Sequence, residues 1–280
     1  MGVAVAGDHR ESVDAKRTAY VLAALTAGLM ALAAVVGLFV PGFYPDYPWA
    51  AQALRGGDLV TLAVATPLLG VALVAAIRGS GRGQLVLGGA LGYAVYNYAY
   101  IVFGAEFNDL FLVHVAILSL AIWALIVLLP SFDGAALAAR FGPRTPARVV
   151  ATLFGVVAAV LAGLWTYFSL RQAITGELPG GAAPPAALHM VYATDLTFFV
   201  VPLAVAAVLL WRRTRWGYLL GTVMAVTGAT YLVNLMAAAA FQAHADVAGV
   251  TAFSPLSLVL DLAFAGAAGV LLATMTARPG

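Results

Sequence analysis

The 280 residues contain no cysteine. That excludes disulfides, CxxC redox motifs, thiolate metal sites, a cysteine nucleophile and lipid anchoring through a thiol. Charge is almost as scarce: Asp, Glu, Lys and Arg make up 9% of the chain, against 63% hydrophobic residues. A soluble domain carries about 25% charged residues. The single lysine, Lys16, precedes the first apolar run, so no transmembrane lysine is available for a Schiff base. No Walker loop, Rossmann glycine pattern or pair of haem-ligating histidines within one helix occurs, so no motif names a cofactor. The net charge of +2 is too small and scattered for a nucleic-acid partner.

Long apolar runs fill the chain, and its mean hydropathy is +0.98. About 20 apolar residues cross a bilayer as a helix. Eight segments meet that requirement, over 19–40, 48–78, 84–104, 109–129, 149–171, 186–212, 215–241 and 254–277. The expected fold class is therefore all-α, a polytopic membrane protein with eight transmembrane helices. The first segment follows a charged stretch, as a signal peptide would. It is long for such a leader and runs into PGFYPDYP with no small-residue cleavage site, so it reads as a retained helix.

Basic residues test the count. Arg10, Lys16 and Arg17 precede the first segment, and Arg78 and Arg82 lie between the second and third. Arg140, Arg144 and Arg148 lie between the fourth and fifth, Arg212, Arg213 and Arg215 between the sixth and seventh, and Arg278 follows the eighth. All fall on one side; only Arg55 and Arg171 fall on the other. By the positive-inside rule both termini are cytoplasmic, in a plasma-membrane protein. Asp46, Asp58, Glu106, Asp109, Glu177 and Asp246 gather outside or at the outer boundary. Trp49, Trp165 and Tyr167 suit an outer aromatic belt, and Trp211, Trp216 and Tyr218 an inner one.

The segments from Pro48 to Arg78 and from Pro185 to Arg212 resemble each other. Pro48 precedes Asp58 by ten residues, as Pro185 precedes Asp195. A mid-segment proline follows each, Pro67 or Pro202, and 39 positions separate Asp58 from Asn97 and Asp195 from Asn234. The expectation is a 4+4 parallel repeat: a cytoplasmic segment over 1–18, one four-helix unit over 19–129, a basic linker with room for a short amphipathic turn over 130–148, and a second unit over 149–280. The Gly/Pro-rich stretch 174–187 reads as an external linker. Prolines at matching places predict kinks beside a central site.

Polar residues converge on one level. At about 1.5 Å per residue, Asn97 and Asn234 lie roughly 10 Å from the outer ends of their segments, His114 about 8 Å and Asp261 about 9 Å. Asp58 and Asp195 lie about 15 Å beyond their prolines. With Tyr100, on the face shared by Tyr93, Asn97 and Gly104, these residues predict an outward-facing polar pocket. Glu106, Asn108, Asp109 and His189 form its rim. Buried ionisable groups in a membrane normally face a cavity or a partner. The leading expectation is a pocket for a small molecule or cation, with transport as an extension. A membrane-embedded hydrolase would use His114, Asp195 and Asp261 to hold a metal, although no HxxxH or HExxH spacing links them. An accessory subunit would use the acidic face for a partner, and its polar cluster would be structural.

The stretches DLVTL, RGSGRGQLVLGG, YNYAYIVFGAEFNDLFLVHVAILSL and LWRRTRWGYLLG resemble a bacterial family of multi-pass membrane proteins described only as hypothetical. The resemblance spans most of the chain from the second segment onward. It implies an integral membrane protein and carries no activity, cofactor or site residues with it.

Overall fold

A computed structural model of the chain describes residues 2–178, 183 and 185–276. Arg278 and the centre of the 174–187 linker (179–182 and 184) lie outside the described residues. The elements are α1 (Gly2–Phe39), α2 (Pro48–Val60), α3 (Thr66–Ile77), α4 (Gly81–Gly104), α5 (Phe111–Leu128), α6 (Gly134–Ala139), α7 (Ala147–Thr175), α8 (Pro185–Thr194), α9 (Val201–Trp211), α10 (Arg215–His244) and α11 (Pro255–Thr274). The only extended pairing among the described residues is one bridge between Phe141 and Met275. π-helical turns at Thr61–Ala65 and Asp195–Val200 join α2 to α3 and α8 to α9. The result, among the described residues, is eight helices long and apolar enough to cross a membrane. Helix α1 starts at residue 2, so the charged stretch continues the first helix, whose apolar part is Val13–Phe39.

Local chemistry sets most helix ends. The hydroxyls of Ser80, Thr214 and Ser254 accept from the N–H groups of Gly83, Gly217 and Ser257 at 3.1, 3.0 and 3.2 Å, capping α4, α10 and α11. Pro48 and Pro255 occupy first-turn positions, where a missing N–H costs nothing. The expected proline kinks take the form of the two π turns. A proline ring clashes with the carbonyl four residues back. The turn before Pro67 and the turn before Pro202 are each widened to the i+5 pattern, and the helix continues.

The two ends of the bundle differ in charge. At one, Arg82 donates to the Met275 carbonyl, Arg140 Nε donates to the Thr276 carbonyl at 3.0 Å, and the Arg148 guanidinium lies 5.6 Å from the Trp211 ring centre. The turns after α3, α5, α9 and α11 are thereby held together at an arginine-rich end. At the other, the Glu106 N–H donates to Asp46 Oδ1 at 2.9 Å and Gln242 Nε2 donates to the Trp49 carbonyl at 2.8 Å. This is the acidic end. Between them the outer surface is apolar: Val71, Val149, Leu256 and Val259 are each more than 60% exposed. Such a surface suits lipid rather than water.

Helices α4 and α10 run parallel through the centre. Small residues let them approach closely. A Cβ on Gly89 would sit 2.4 Å from Val226 Cβ, and one on Gly92 would sit 2.4 Å from Thr227 Oγ1. Thr227 in turn donates to the Gly89 carbonyl at 3.0 Å. Helix α10 also packs on α2, α9 and α11, and α4 on α3, α5 and α8.

The turns after α3 and α9 share one pattern, with left-handed φ of 84° at Gly79 and 52° at Arg213 followed by the Ser80 and Thr214 caps. From Asp58 to Ser80 is 22 positions and from Asp195 to Thr214 is 19, so the equal 39-residue spacing conceals a three-residue shift of the turn. The flanks differ too: α1 leans on α5, whereas α7 leans on α9.

Gly89→Leu should destabilise the protein by about 1–3 kcal/mol, the usual cost of overpacking. Gly28→Ala, with nothing within 4 Å of the added carbon, should leave melting unchanged or raised. Thermal melting in detergent, followed by far-ultraviolet circular dichroism, checks both; equal melting of Gly89→Leu and wild type would refute the close contact.

Candidate functional site

At the acidic end α2, α4, α8 and α10 enclose a cavity of about 250 Å³, with Trp165 of α7 on one side. Helical phase brings its walls together. Trp49, Ala53 and Gly57 recur every four residues on α2; Tyr231, Asn234, Leu235, Ala238 and Gln242 share one face of α10. The lining follows α10 for three turns, about 16 Å at 1.5 Å per residue. Small residues at 53, 57 and 238 leave the space, and six aromatic rings surround it: Trp49, Tyr96, Tyr100, Trp165, Tyr192 and Tyr231. Among the described residues, none that lines it is charged.

Two amides mark the cavity where α4 meets α10. Asn234 Nδ2 donates to Asn97 Oδ1 at 2.8 Å, and both residues line the space. Gly57 backs Asn234 closely, since a Cβ there would lie 2.9 Å from Asn234 Oδ1. Tyr100 lines the cavity beside them. Tyr93, expected on the same face, turns to Thr61 instead, with 3.1 Å between the hydroxyls.

Asp195 sits behind the aromatic wall. It opens the π turn before Pro202 and is buried. Tyr96 OH donates to its Oδ1, and Trp165 Nε1 donates to its Oδ2 at 2.9 Å. These two rings hold others: Tyr96 meets Tyr231 edge-on at 4.4 Å between centroids, and Trp165 stacks on Tyr192 at 4.4 Å. One carboxylate thus braces four of the six rings. Its partners are Tyr96 and Trp165.

Asp58 is oriented the other way, toward α1. Tyr44 OH donates to its Oδ2 at 2.7 Å. The fit depends on Gly37, whose Cβ would come 2.0 Å from that oxygen. Tyr44 lies in the loop before α2; burial first, then the Asp58 carboxylate, raises its phenol well above the ordinary range, so it remains a donor. Arg55 reaches the Leu38 carbonyl at 3.5 Å, and the only ion pair among the described residues is Arg171–Glu177.

The remaining candidates are dispersed. His114 is buried on α5 against the Tyr98 ring, 5.9 Å between centroids. Asp261 lies on α11, half-buried, with Oδ1 unpartnered. Helix α5 packs on α1 and α4 while α11 packs on α10, which places these two residues on opposite flanks. Among the described residues no three His, Asp or Glu side chains gather where a metal could be held; His114, Asp195 and Asp261 do not converge. At the rim Asn108 is structural: its Oδ1 accepts from the Leu110 N–H at 3.1 Å and its Nδ2 donates to the Glu106 carbonyl, shaping the entry to α5. Glu106, Asp109 and His189 are exposed.

Trp49, Trp165, Tyr192 and Tyr231 line the cavity, with Gln242, but were not among the residues that the sequence assigned to a pocket. Both tryptophans read as membrane-belt residues there. The available signal was position: Tyr192, Tyr231 and Gln242 lie on or just past the segments that carry Asp195 or Asn234, and Trp49 on the one that carries Asp58, whereas Trp165 lies on a segment with none of these.

Fold and site together define a polytopic α-helical membrane protein with an aromatic cavity at its acidic end. No protein-family model matches the chain, and no curated protein or solved structure matches it.

The Asn97–Asn234 bond should show as a coupling of about 0.6–1.7 kcal/mol in a double-mutant cycle of Asn97→Ala and Asn234→Ala, the range of hydrogen bonds between membrane helices. Additive losses in detergent unfolding would refute it.

Proposed function

We propose that the protein binds a small organic ligand in the aromatic cavity, entered from the acidic end, and that this end faces the outside of a plasma membrane. The observation that carries this reading is the cavity itself. It lies among four helices, is lined by six rings, and has the Asn97–Asn234 amide pair as its central polar feature. Ligand sites are typically concave and mostly apolar, with a few placed polar groups that fix orientation. A volume of about 250 Å³ is just under the range of about 300–1,000 Å³ for drug-sized ligands, so the ligand is small. The outward assignment rests on the arginine-rich opposite end. The contact of Asn97 with Asn234, residues 137 positions apart, supports a site built where two related halves meet.

The natural absence of cysteine makes a direct test possible. Ala53→Cys places a thiol in the cavity, Glu106→Cys one at the acidic rim, Arg78→Cys one at the arginine-rich end and Val71→Cys one on the lipid face. In intact cells a small membrane-impermeant thiol reagent should label the variants at 53 and 106. It should label the one at 78 only after permeabilisation, and spare the one at 71. An unreactive thiol at 53 would sink the pocket; labelling at 78 in intact cells would reverse the orientation.

Transport is the extension favoured by the π turns. Two helices that line the cavity, α2 and α8, each run into a π turn and a proline, as hinge elements of a moving repeat would. Thr222 is buried in the arginine-side half of α10. Under alternating access Thr222→Cys reacts slowly from the arginine-rich end, and adding Pro67→Ala and Pro202→Ala abolishes that reaction. A thiol at 222 that never reacts means a binding protein that does not cycle.

A further inference from the structure

We infer that the ligand of this cavity is a small organic cation, a quaternary ammonium or protonated amine; this rests on the pocket reading above. Three independent features point to positive charge. First, the wall is aromatic. Six rings from α2, α4, α7, α8 and α10 surround a space with no charged lining residue among the described residues, and cations are drawn to ring faces, most strongly when desolvated.

Second, the wall is backed by a buried carboxyl group with no cationic partner among the described residues. Asp195 accepts from Tyr96 OH and Trp165 Nε1, both neutral donors, and forms no ion pair among the described residues. A phenol or indole that donates to a carboxylate becomes richer in electrons over its ring. The same contact therefore strengthens the attraction of those rings for a cation and adds the longer-range pull of the carboxylate itself. A buried carboxylate is costly in a membrane, and a cation arriving on the other side of the rings offsets that cost.

Third, the approach is negative. Glu106 and Asp109 are exposed at this end and Asp46 lies in the loop before α2. The two basic side chains on this side are occupied elsewhere, Arg171 with Glu177 at 2.7 Å and Arg55 toward the Leu38 carbonyl. Acids at the end from which a cleft is entered raise the local concentration of the opposite charge. An anionic ligand would meet no positive group here among the described residues. A neutral ligand would make no use of Asp195.

The test compares choline with its tert-butyl analogue, in which carbon replaces nitrogen. The readout is protection of the thiol in Ala53→Cys against a small neutral reagent, in detergent-purified protein. Choline should protect saturably and about tenfold more tightly than the neutral analogue. Asp195→Asn should lower choline protection about tenfold and leave the analogue unchanged. Because that variant removes a buried acceptor and can unfold, Tyr192→Leu is run beside it: one ring is lost, Asp195 is untouched, and choline protection should fall several-fold. Equal protection by both compounds overturns the cationic class and leaves the pocket. A reactive thiol that neither compound protects also overturns the cationic class. An unreactive thiol overturns the pocket reading itself, so the two failures are distinguishable.

Discussion

The close parallel contact of α4 with α10 is the constraint on which the rest of the molecule depends. In lipid, helices gain no hydrophobic advantage from meeting one another, so association relies on packing and hydrogen bonds. Gly89 and Gly92 bring the two backbones together, Thr227 bonds to the Gly89 carbonyl, and Asn97 bonds to Asn234 two turns further on. Helices α3, α5 and α8 then dock on α4, and α2, α9 and α11 on α10. Moving this pair apart would dissolve the bundle and the cavity together, because both amides that mark the cavity belong to it.

The cavity shows how one polar group organises several apolar ones. A carboxylate in a membrane must find donors inside the protein. Asp195 finds Tyr96 on α4 and Trp165 on α7, and those rings fix Tyr231 and Tyr192. The carboxylate's need for donors therefore also fixes the rings of the cavity wall. Asp58, ten residues after Pro48 as Asp195 is ten after Pro185, is satisfied by Tyr44 and faces α1. The two aspartates look alike in sequence and occupy different surroundings, because the loop before α2 folds back over α1 and supplies a phenol from the far side.

Helix number and segment limits were legible because a bilayer imposes length and hydropathy on each crossing. The segments 84–104, 109–129 and 215–241 differ from α4, α5 and α10 by three residues or fewer at either end. The convergence of Asn97 with Asn234 was legible too, since depth along a helix follows from residue count. What rotates about a helix axis was not. Tyr96 had no place on the face read from spacing, yet it lines the cavity and bonds to Asp195; Tyr93, which had one, turned away to Thr61. A π turn adds to this, because it changes helical phase without a sequence mark beyond the proline that follows. Trp165 was assigned to the membrane surface since tryptophan is common there, and its bond to Asp195 needed α7 to lie against the Asp195–Val200 turn.

The sequence by itself determined that the protein is helical, crosses a membrane eight times and segregates its arginines to one end. Those properties are set by composition and by the one-dimensional order of apolar runs. Only the tertiary structure decided which polar groups meet: Asp195 with Tyr96 and Trp165, Asp58 with Tyr44, His114 with the Tyr98 ring, and Asp261 apart from them all. The reason is geometric. Depth in the membrane is a sum along one chain, whereas partnership depends on the azimuth of each helix and on which helices are neighbours, and both are fixed by packing between segments far apart in sequence.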